Sequence, residues 1–144
     1  CTFFSQHRIA YQLQLAQRQG GHFPRGQELL QSIPHLLSEH QPFPSLVHGD
    51  LWSGNAGFTA SGEPVIFDPA AYFGDREVDL AMTELFGGFP PQFYQGYEEN
   101  FPLNAGYPKR KILYNLYHIL NHFNLFGSSY AAQANRMIEK ILRA

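Results

Sequence analysis

The chain has 144 residues, of which 44% are hydrophobic and 15% charged, and a formal net charge of −2 at pH 7. This composition is typical of one globular domain, and the charge gives no basic surface for nucleic acid. No stretch reaches the ~20 apolar residues of a membrane span, and one cysteine, Cys1, excludes an internal disulfide framework. We therefore expect no nucleic-acid or membrane partner, and a cytoplasmic location.

Two helices are predicted before residue 40. The first covers residues 5–19 and ends at Gly20-Gly21. Its apolar residues recur at helical spacing: Ile9, Leu13 and Ala16. The second is predicted from Gln27 to Glu39, where Pro34 must start, kink or split it.

The segment from His48 to Asn55, HGDLWSGN, is the most informative in the chain. It places the carboxylate of Asp50 and the carboxamide of Asn55 five positions apart in a loop that follows an apolar stretch. This is the spacing of the protein-kinase catalytic loop, with Gly49 in place of the kinase arginine. In-line phosphoryl transfer needs a carboxylate that orients and deprotonates the attacking hydroxyl, and a neutral oxygen ligand for Mg²⁺. Asp50 can do the first and Asn55 the second.

A β-hairpin is predicted directly after this loop. Two short apolar runs, 56–59 and 64–67, flank a turn that contains Gly62. Because a hairpin brings its ends together, we expect Asp68 to return beside Asn55, where both could bind one Mg²⁺. The alternative is an ordinary surface turn, since Asp, Asn and Gly are frequent in loops. The position of Asp68 favours the metal site.

Four more helices are predicted after the hairpin. The first begins with the acidic turn 75–79. It continues with a buried stripe: Val78, Ala81, Met82, Leu85 and Phe86. The others cover residues 91–100, 109–126 and 129–142. In the longest, the inward residues are Ile112, Leu116, Ile119, Leu120 and Phe123. We therefore expect a mostly helical α+β fold with a small β-hairpin that carries the two loops.

Several motifs resemble the fructosamine kinase (ketosamine-3-kinase) family. These are HGDLWSGN at 48–55, FDPA at 67–70 and YFGDREVDLA at 72–81. Residues 86–89 and 116–124 are similar to the C-terminal lobe of that family, and the resemblance extends over essentially the whole chain. The family is related to the aminoglycoside phosphotransferases and, more distantly, to the protein kinases.

The resemblance implies a role for each matching residue. Asp50 is the implied catalytic base, Asn55 a Mg²⁺ ligand and Asp68 the principal Mg²⁺ ligand. Asp79 is the implied helix carboxylate that braces the catalytic loop, and Phe67 is assigned to cofactor binding. The implied reaction is ATP-dependent phosphorylation of a sugar hydroxyl on a ketosamine, free or protein-bound, in protein deglycation.

Other residues leave alternatives open. His48 is expected to hold the loop through its ring nitrogens, because Asp50 already occupies the position of the base. Trp52 could stack on the sugar or pack under the loop, and we favour the acceptor side. Asp75 could contact substrate or Mg²⁺, but a helix N-cap is favoured. His118 and His122 have metal-ligand spacing, yet a polar helix face, with His122 a possible acceptor contact, is favoured.

The aromatic residues near Gly87-Gly88 are expected to be mainly core, although their density also suits an acceptor cleft. They are Phe86, Phe89, Phe93, Tyr94 and Tyr97.

The chain lacks a candidate for the strand lysine of a kinase N-terminal lobe. Its three lysines, Lys109, Lys111 and Lys140, all follow Asp68, whereas that lysine should precede Asp50. There is no glycine-rich phosphate loop either. We therefore expect residues 1–144 to be the C-terminal lobe of a kinase-like fold without its N-terminal lobe, nearly inactive alone. Its uncovered lobe face is a candidate surface for self-association.

Two other functions remain open at this stage. One is a small-molecule kinase that acts on an aminoglycoside, choline or homoserine-like hydroxyl. The other is a non-catalytic, pseudokinase-like binding module.

Overall fold

The computed structural model describes residues 2–143 and divides them into two compact units. The described residues up to 41 and from 112 onward form one unit, called the helical unit below. Residues 42–111 form the other, called the loop unit. Within residues 2–143, no helix combines the length and the apolar character that a membrane crossing requires.

Helices make up most of the described chain. A π-helix, Phe3–Ala10, leads directly into the first α-helix. The α-helices are α1 (Tyr11–Arg18), α2 (Gly26–Leu36), α3 (Glu77–Thr83), α4 (Pro91–Asn100), α5 (Tyr107–Phe126) and α6 (Ala131–Arg143). Short 3₁₀ turns cover Ser53–Asn55 and Ser128–Tyr130. The predicted helices are thus present, with α2 ending two residues after Pro34 and the first predicted helix being π-helical in its first half.

The core of the helical unit is aliphatic. Its fully buried side chains come from all of its long helices: Ile9, Ala16, Leu29, Ile33, Leu116, Ile119, Leu120 and Ile138. The rings of Phe23 and Phe123 meet edge to face with their centroids 5.4 Å apart. Of the inward residues predicted for α5, Ile112 is only partly buried, and Leu113 is buried instead.

Four three-residue strands form two antiparallel pairs in the loop unit. They are β1 (Ser45–Val47), β2 (Ala56–Phe58), β3 (Pro64–Ile66) and β4 (Tyr72–Gly74). β2 pairs with β3, with Ala56 opposite Ile66, so the predicted hairpin is confirmed. β1 pairs with β4, with Val47 opposite Tyr72, and this second pair was not predicted from the sequence.

The buried stripe predicted for α3 is wrong at its C-terminal end. Val78, Ala81 and Met82 are buried, but α3 ends at Thr83 and Phe86 is 38% exposed. After Thr83 the backbone tightens into i→i−3 bonds, with the N–H of Leu85 donating to the carbonyl of Met82. The chain therefore leaves the helical path before Leu85 and Phe86 can continue the stripe.

The aromatic residues expected to be mainly core are not buried either. Phe86 is exposed, and the other four, Phe89, Phe93, Tyr94 and Tyr97, are half-buried. Three of them, Phe93, Tyr94 and Tyr97, lie on α4, which buries none of its residues completely. Four of these rings instead line two clefts in the loop unit.

Candidate active site

The loop from His48 to Asn55 is fixed at both ends by the strands and turns around it. It begins where β1 ends and stops where β2 begins. Near its start, the carbonyl of His48 accepts the N–H of Ala70 at 2.8 Å. At its end, the carbonyl of Asn55 accepts the N–H of Phe67 at 3.0 Å. Both ends of the loop are thus bonded to the segment that carries Asp68.

Asp79 supports the loop from α3. One carboxylate oxygen accepts the N–H of His48 at 2.7 Å and the other accepts the N–H of Gly49 at 2.9 Å. Burial raises the pKa of Asp79 above its usual range, while these two backbone donors oppose the shift. A raised pKa means that ionising this carboxyl costs more free energy in the folded protein than in the unfolded chain. The free energy of unfolding therefore decreases as the pH rises from the pKa of the unfolded state to that of the folded state. The two N–H donors offset part of that cost.

The ring of His48 links Asp50 to Phe67, the residue before Asp68. Nδ1 accepts the N–H of Asp50 at 3.3 Å, and Nε2 lies 2.9 Å from the carbonyl oxygen of Phe67. A carbonyl can only accept, so this network assigns the ring proton to Nε2. With both nitrogens engaged, His48 is placed to position Asp50 rather than to transfer a proton.

Asn55 orients the side chain of Asp50. Its Nδ2 donates to the Asp50 carbonyl at 2.9 Å and to Asp50 Oδ2 at 3.1 Å. Asn55 is only 6% exposed, so its amide is held in one orientation by these bonds. Within residues 2–143, Oδ1 of Asn55 and Oδ1 of Asp50 accept no hydrogen bond. One carboxylate oxygen and one amide oxygen are therefore available to a ligand.

Asp68 follows the hairpin in a left-handed backbone conformation, with φ at 57°. Asp tolerates this region better than most residues because its short side chain can bond locally. Its side chain is exposed, and among the described residues it has no hydrogen bond or ion pair. Carboxylate and amide oxygens are the ligands that Mg²⁺ prefers, so Asp68 and Asn55 are a donor set that fits Mg²⁺.

Gly49 is required by close packing beneath the loop. Its φ is +83°, and a Cβ at this position would collide with the carbonyl oxygen of Ala70. Ala70 is held in place because its N–H is bonded to His48. A side chain at position 49 would therefore push the loop from His48 to Asn55 away from the Asp68 segment.

Gly49→Ala is expected to destabilise the protein by about 3 kcal/mol, at the upper end of ordinary point mutations. Gly62→Ala is the matched control, because Gly62 has φ +85° but no atom within 4 Å of its Cβ position. It should lose only the ~1–2 kcal/mol of a left-handed alanine. Urea denaturation followed by circular dichroism measures both. Equal losses would show that Ala70 moves aside without cost.

Trp52 and Phe67 lie at the edges of the loop. Trp52 is 39% exposed, and its ring lies against Gly54, where an added Cβ would collide with it. Packing within the loop accounts for this contact, while the exposed part of the ring remains available to an acceptor. Phe67 is also exposed and directly precedes Asp68.

Asp75 lies two residues before the start of α3. Its Oδ1 accepts the N–H of Glu77 at 3.0 Å, and its carbonyl accepts the N–H of Val78 at 3.1 Å. These bonds serve the first turn of α3, although Arg76 is the N-cap residue and makes no side-chain cap bond.

His122 belongs to the helical unit. Its Nδ1 lies 2.7 Å from the carbonyl oxygen of His118, so it donates to its own helix, and its ring packs on Phe126 and Tyr130. Burial lowers the pKa of His118 to about 4, and the nearby His122 and Arg8 add to the effect. His118 is therefore neutral at pH 7.

Sequence reasoning missed a buried ion pair that anchors α3. The guanidinium of Arg110 makes two bonds of 2.7 Å to the carboxylate of Glu77, and their side chains are 7% and 3% exposed. Arg110 also donates to Asn104. A signal was present: Glu77 precedes Leu80 and Ala81 at i+3 and i+4, so a charged residue lies on an apolar helical stripe.

Together these features fit a kinase-like fold: a loop with a carboxylate and a carboxamide, a hairpin followed by Asp68, and a helix carboxylate bonded to the loop backbone. The chain belongs to the fructosamine kinase family, whose sequence model matches residues 1–144. The family resemblance and the mostly helical α+β fold predicted from the sequence are therefore confirmed.

Known relatives agree with this assignment. The chain is 60% identical to a protein named probable ketoamine kinase from Synechocystis sp., over 98% of this chain and 48% of that protein. It is 56% identical to a probable ketoamine kinase from Vibrio parahaemolyticus, over 99% of this chain and 49% of that protein. The chain thus spans about half the length of the relatives it matches.

Solved structures show the same fold. A crystal structure assigned as a fructosamine-3-kinase from Haemophilus somnus 129PT superposes with a TM-score of 0.88 at 39% identity, over 97% of this chain and 48% of that one. Another, from Thermobifida fusca YX-ER1, also has a TM-score of 0.88, at 35% identity, over 99% of this chain and 50% of that one.

Proposed function

We propose that the protein carrying this chain is an ATP-dependent kinase that phosphorylates a sugar hydroxyl of ketosamines, and that residues 1–144 are its C-terminal, catalytic lobe. One observation carries the proposal: Asp50 is oriented by Asn55 and His48, and its Oδ1 is bonded to no described residue. Family membership and the names of the relatives support a ketosamine as acceptor.

In this reaction Asp50 acts on the acceptor hydroxyl. Its free carboxylate oxygen accepts a hydrogen bond from the hydroxyl and takes the proton as the bond from oxygen to the γ-phosphorus forms. The bond from that phosphorus to the bridging oxygen breaks, ADP leaves, and Asp50 returns the proton to solvent. His48 and Asp79 position the loop but do not touch the reacting atoms.

Asn55 and Asp68 would hold Mg²⁺ in this lobe. When bound, the ion supplies charge stabilisation to the phosphates. Phe67, exposed next to Asp68, is the residue we assign to the nucleotide.

The lobe assignment rests on the apolar surface of the loop unit. Leu46 and Phe73 lie opposite each other in the β1–β4 pair, and both are exposed although they are large and apolar. We assign this surface to the contact between the chain and a nucleotide-clamping lobe, as in other kinases. Without such a lobe, the same surface is the one through which the chain would self-associate. The product, a phosphorylated ketosamine, is unstable and releases the amine. We therefore assign the protein to deglycation. We also assign the protein to the cytoplasm.

The test is phosphorylation of a ribulosamine or a fructosamine by Mg²⁺-ATP, read by mass spectrometry. It is run on this chain and on the longer protein that carries it. We expect product from the longer protein and at most a trace from the isolated chain, because much of the phosphate clamp would be missing. No product from a folded longer protein would refute the acceptor class. A micromolar nucleotide Kd for the isolated chain would refute the lobe assignment.

A further inference from the structure

An apolar groove of about 570 Å³ lies within the loop unit. The hairpin β2–β3 forms one wall, and residues of the segment 88–93 form the other. None of the described residues that line the groove carries a charge. Its volume is in the range of ~300–1,000 Å³ that is usual for small-molecule sites. The groove therefore suits an uncharged part of a ligand, because a charge placed in it would lose water without gaining a partner.

The groove reaches the loop that holds Asp50. Ser53 lines the groove from within that loop, and two residues further on Asn55 donates to Asp50 Oδ2 at 3.1 Å. Phe67 and Asp68, which we assign to the nucleotide and the metal ion, are not among the described residues that line it. A group in the groove is therefore a neighbour of the acceptor rather than of the nucleotide.

The hairpin wall carries large apolar side chains that water reaches. Phe58 is 74% exposed, Ile66 is 61% exposed and Val65 is 38% exposed. Apolar surface of this kind gains free energy when another apolar group covers it, in proportion to the area that is removed from water. An alkyl chain in the groove would therefore bind more tightly with each methylene group that it adds.

The opposite wall is held in one conformation. The N–H of Phe89 donates to the hydroxyl of Tyr94 at 3.0 Å, and this hydroxyl donates to Thr83 Oγ1 at 3.1 Å. Thr83 is 1% exposed and donates in turn to the carbonyl of Leu80 at 2.6 Å. The rings of Phe89 and Phe93 pack with their centroids 4.8 Å apart. Because this wall is already ordered, a ligand loses little free energy in ordering it.

Resting on the kinase function proposed above, we propose that the apolar groove is the subsite for the substituent on the ketosamine amine, and that it selects an uncharged alkyl chain. The sugar hydroxyl lies at Asp50, and the alkyl chain runs past Ser53 between the hairpin and Phe89. A charged group within the groove is disfavoured, because no described lining residue could pair with it.

The experiment compares two ketosamines that differ only in chain length, one with a propyl and one with a hexyl substituent on the amine. The longer protein carrying this chain is assayed, and kcat and KM are determined for each substrate. We expect kcat/KM to favour the hexyl substrate by about tenfold, through KM. Complete burial of three methylene groups would give more, but the hairpin wall of the groove is open to water.

Phe58→Ser removes the most exposed ring of the hairpin wall and should reduce the advantage of the hexyl substrate to about threefold. Phe43→Ser is the matched control, since Phe43 is 90% exposed in the same unit and does not line the groove. It should keep the tenfold advantage. Because both rings are largely in water, we expect both variants to fold, and circular dichroism checks this.

The KM for ATP is measured on the same samples, and we expect it to be the same in Phe58→Ser as in the unmodified protein. Equal kcat/KM for the two substrates in the unmodified protein would show that the groove does not take the amine substituent. An advantage that survives Phe58→Ser in full, or a raised KM for ATP in that variant, would also overturn the subsite. Phosphorylation of neither substrate would count against the kinase function itself.

Discussion

Asp50→Asn is expected to lower kcat for ketosamine phosphorylation by about 10³-fold and to leave the fold intact. An asparagine side chain has nearly the same shape, and its oxygen can still accept the Nδ2 bond that Asn55 makes to Asp50. It cannot take a proton from the acceptor hydroxyl, however, and general-base catalysis is typically worth ~10²–10⁴-fold. The loop geometry is thus kept while the chemical step is slowed.

The measurement is steady-state kinetics on the longer protein carrying this chain, with circular dichroism as a check on folding. Glu63→Gln is the control, because it makes the same carboxylate-to-amide change at the exposed hairpin turn. It should leave kcat unchanged. If Asp50→Asn retains more than about a tenth of kcat, the residue does not act as the base, and its oriented carboxylate needs another explanation.

The parts of the fold that were predicted from the sequence depend on local signals. The hairpin β2–β3 was predicted because its strands and the turn at Gly62 are adjacent in the chain. The loop from His48 to Asn55 was recognised because the chemistry of phosphoryl transfer fixes the spacing of its two polar side chains. In both cases the information lies within fewer than about 15 residues.

The features that were missed depend on contacts between distant segments. β1 and β4 are three residues each and lie about 25 residues apart, so neither is a strand signal by itself. The support that Asp79 gives to His48 and Gly49 also joins distant segments, and only the family resemblance pointed to it. Local periodicity contains no information on such pairings.

The aromatic residues after Gly88 show a different limit. Aromatic side chains are usually buried, and this general preference predicted a core. In the structure Phe89, Phe93, Tyr94 and Tyr97 line open clefts instead. Half-exposed aromatic rings are typical of the lining of a ligand cleft, and Ser53 of the loop from His48 to Asn55 lines the same cleft as Phe89 and Phe93.

Glu77→Leu and Arg110→Met are each expected to destabilise the protein by about 3–5 kcal/mol, because each leaves one charge buried without its partner. The pair is bidentate, with both bonds at 2.7 Å, and both side chains are almost completely shielded from water. Urea denaturation gives the free energy of unfolding for each variant. Glu28→Gln is the control: it breaks the exposed pair with Arg25 and should have a much smaller effect.

The double variant Glu77→Leu/Arg110→Met distinguishes the free-energy cost of burying the two charges from the attraction between them. Removing both charges also removes both desolvation costs, so most of the stability lost in the single variants should return. Losses that simply add would show that the two side chains act independently, contrary to their bidentate contact. Activity gives a second readout, since α3 also carries Asp79, which holds the backbone of His48 and Gly49. A stable double variant with a lowered kcat and an unchanged KM would show that the ion pair positions the loop from His48 to Asn55 through Asp79.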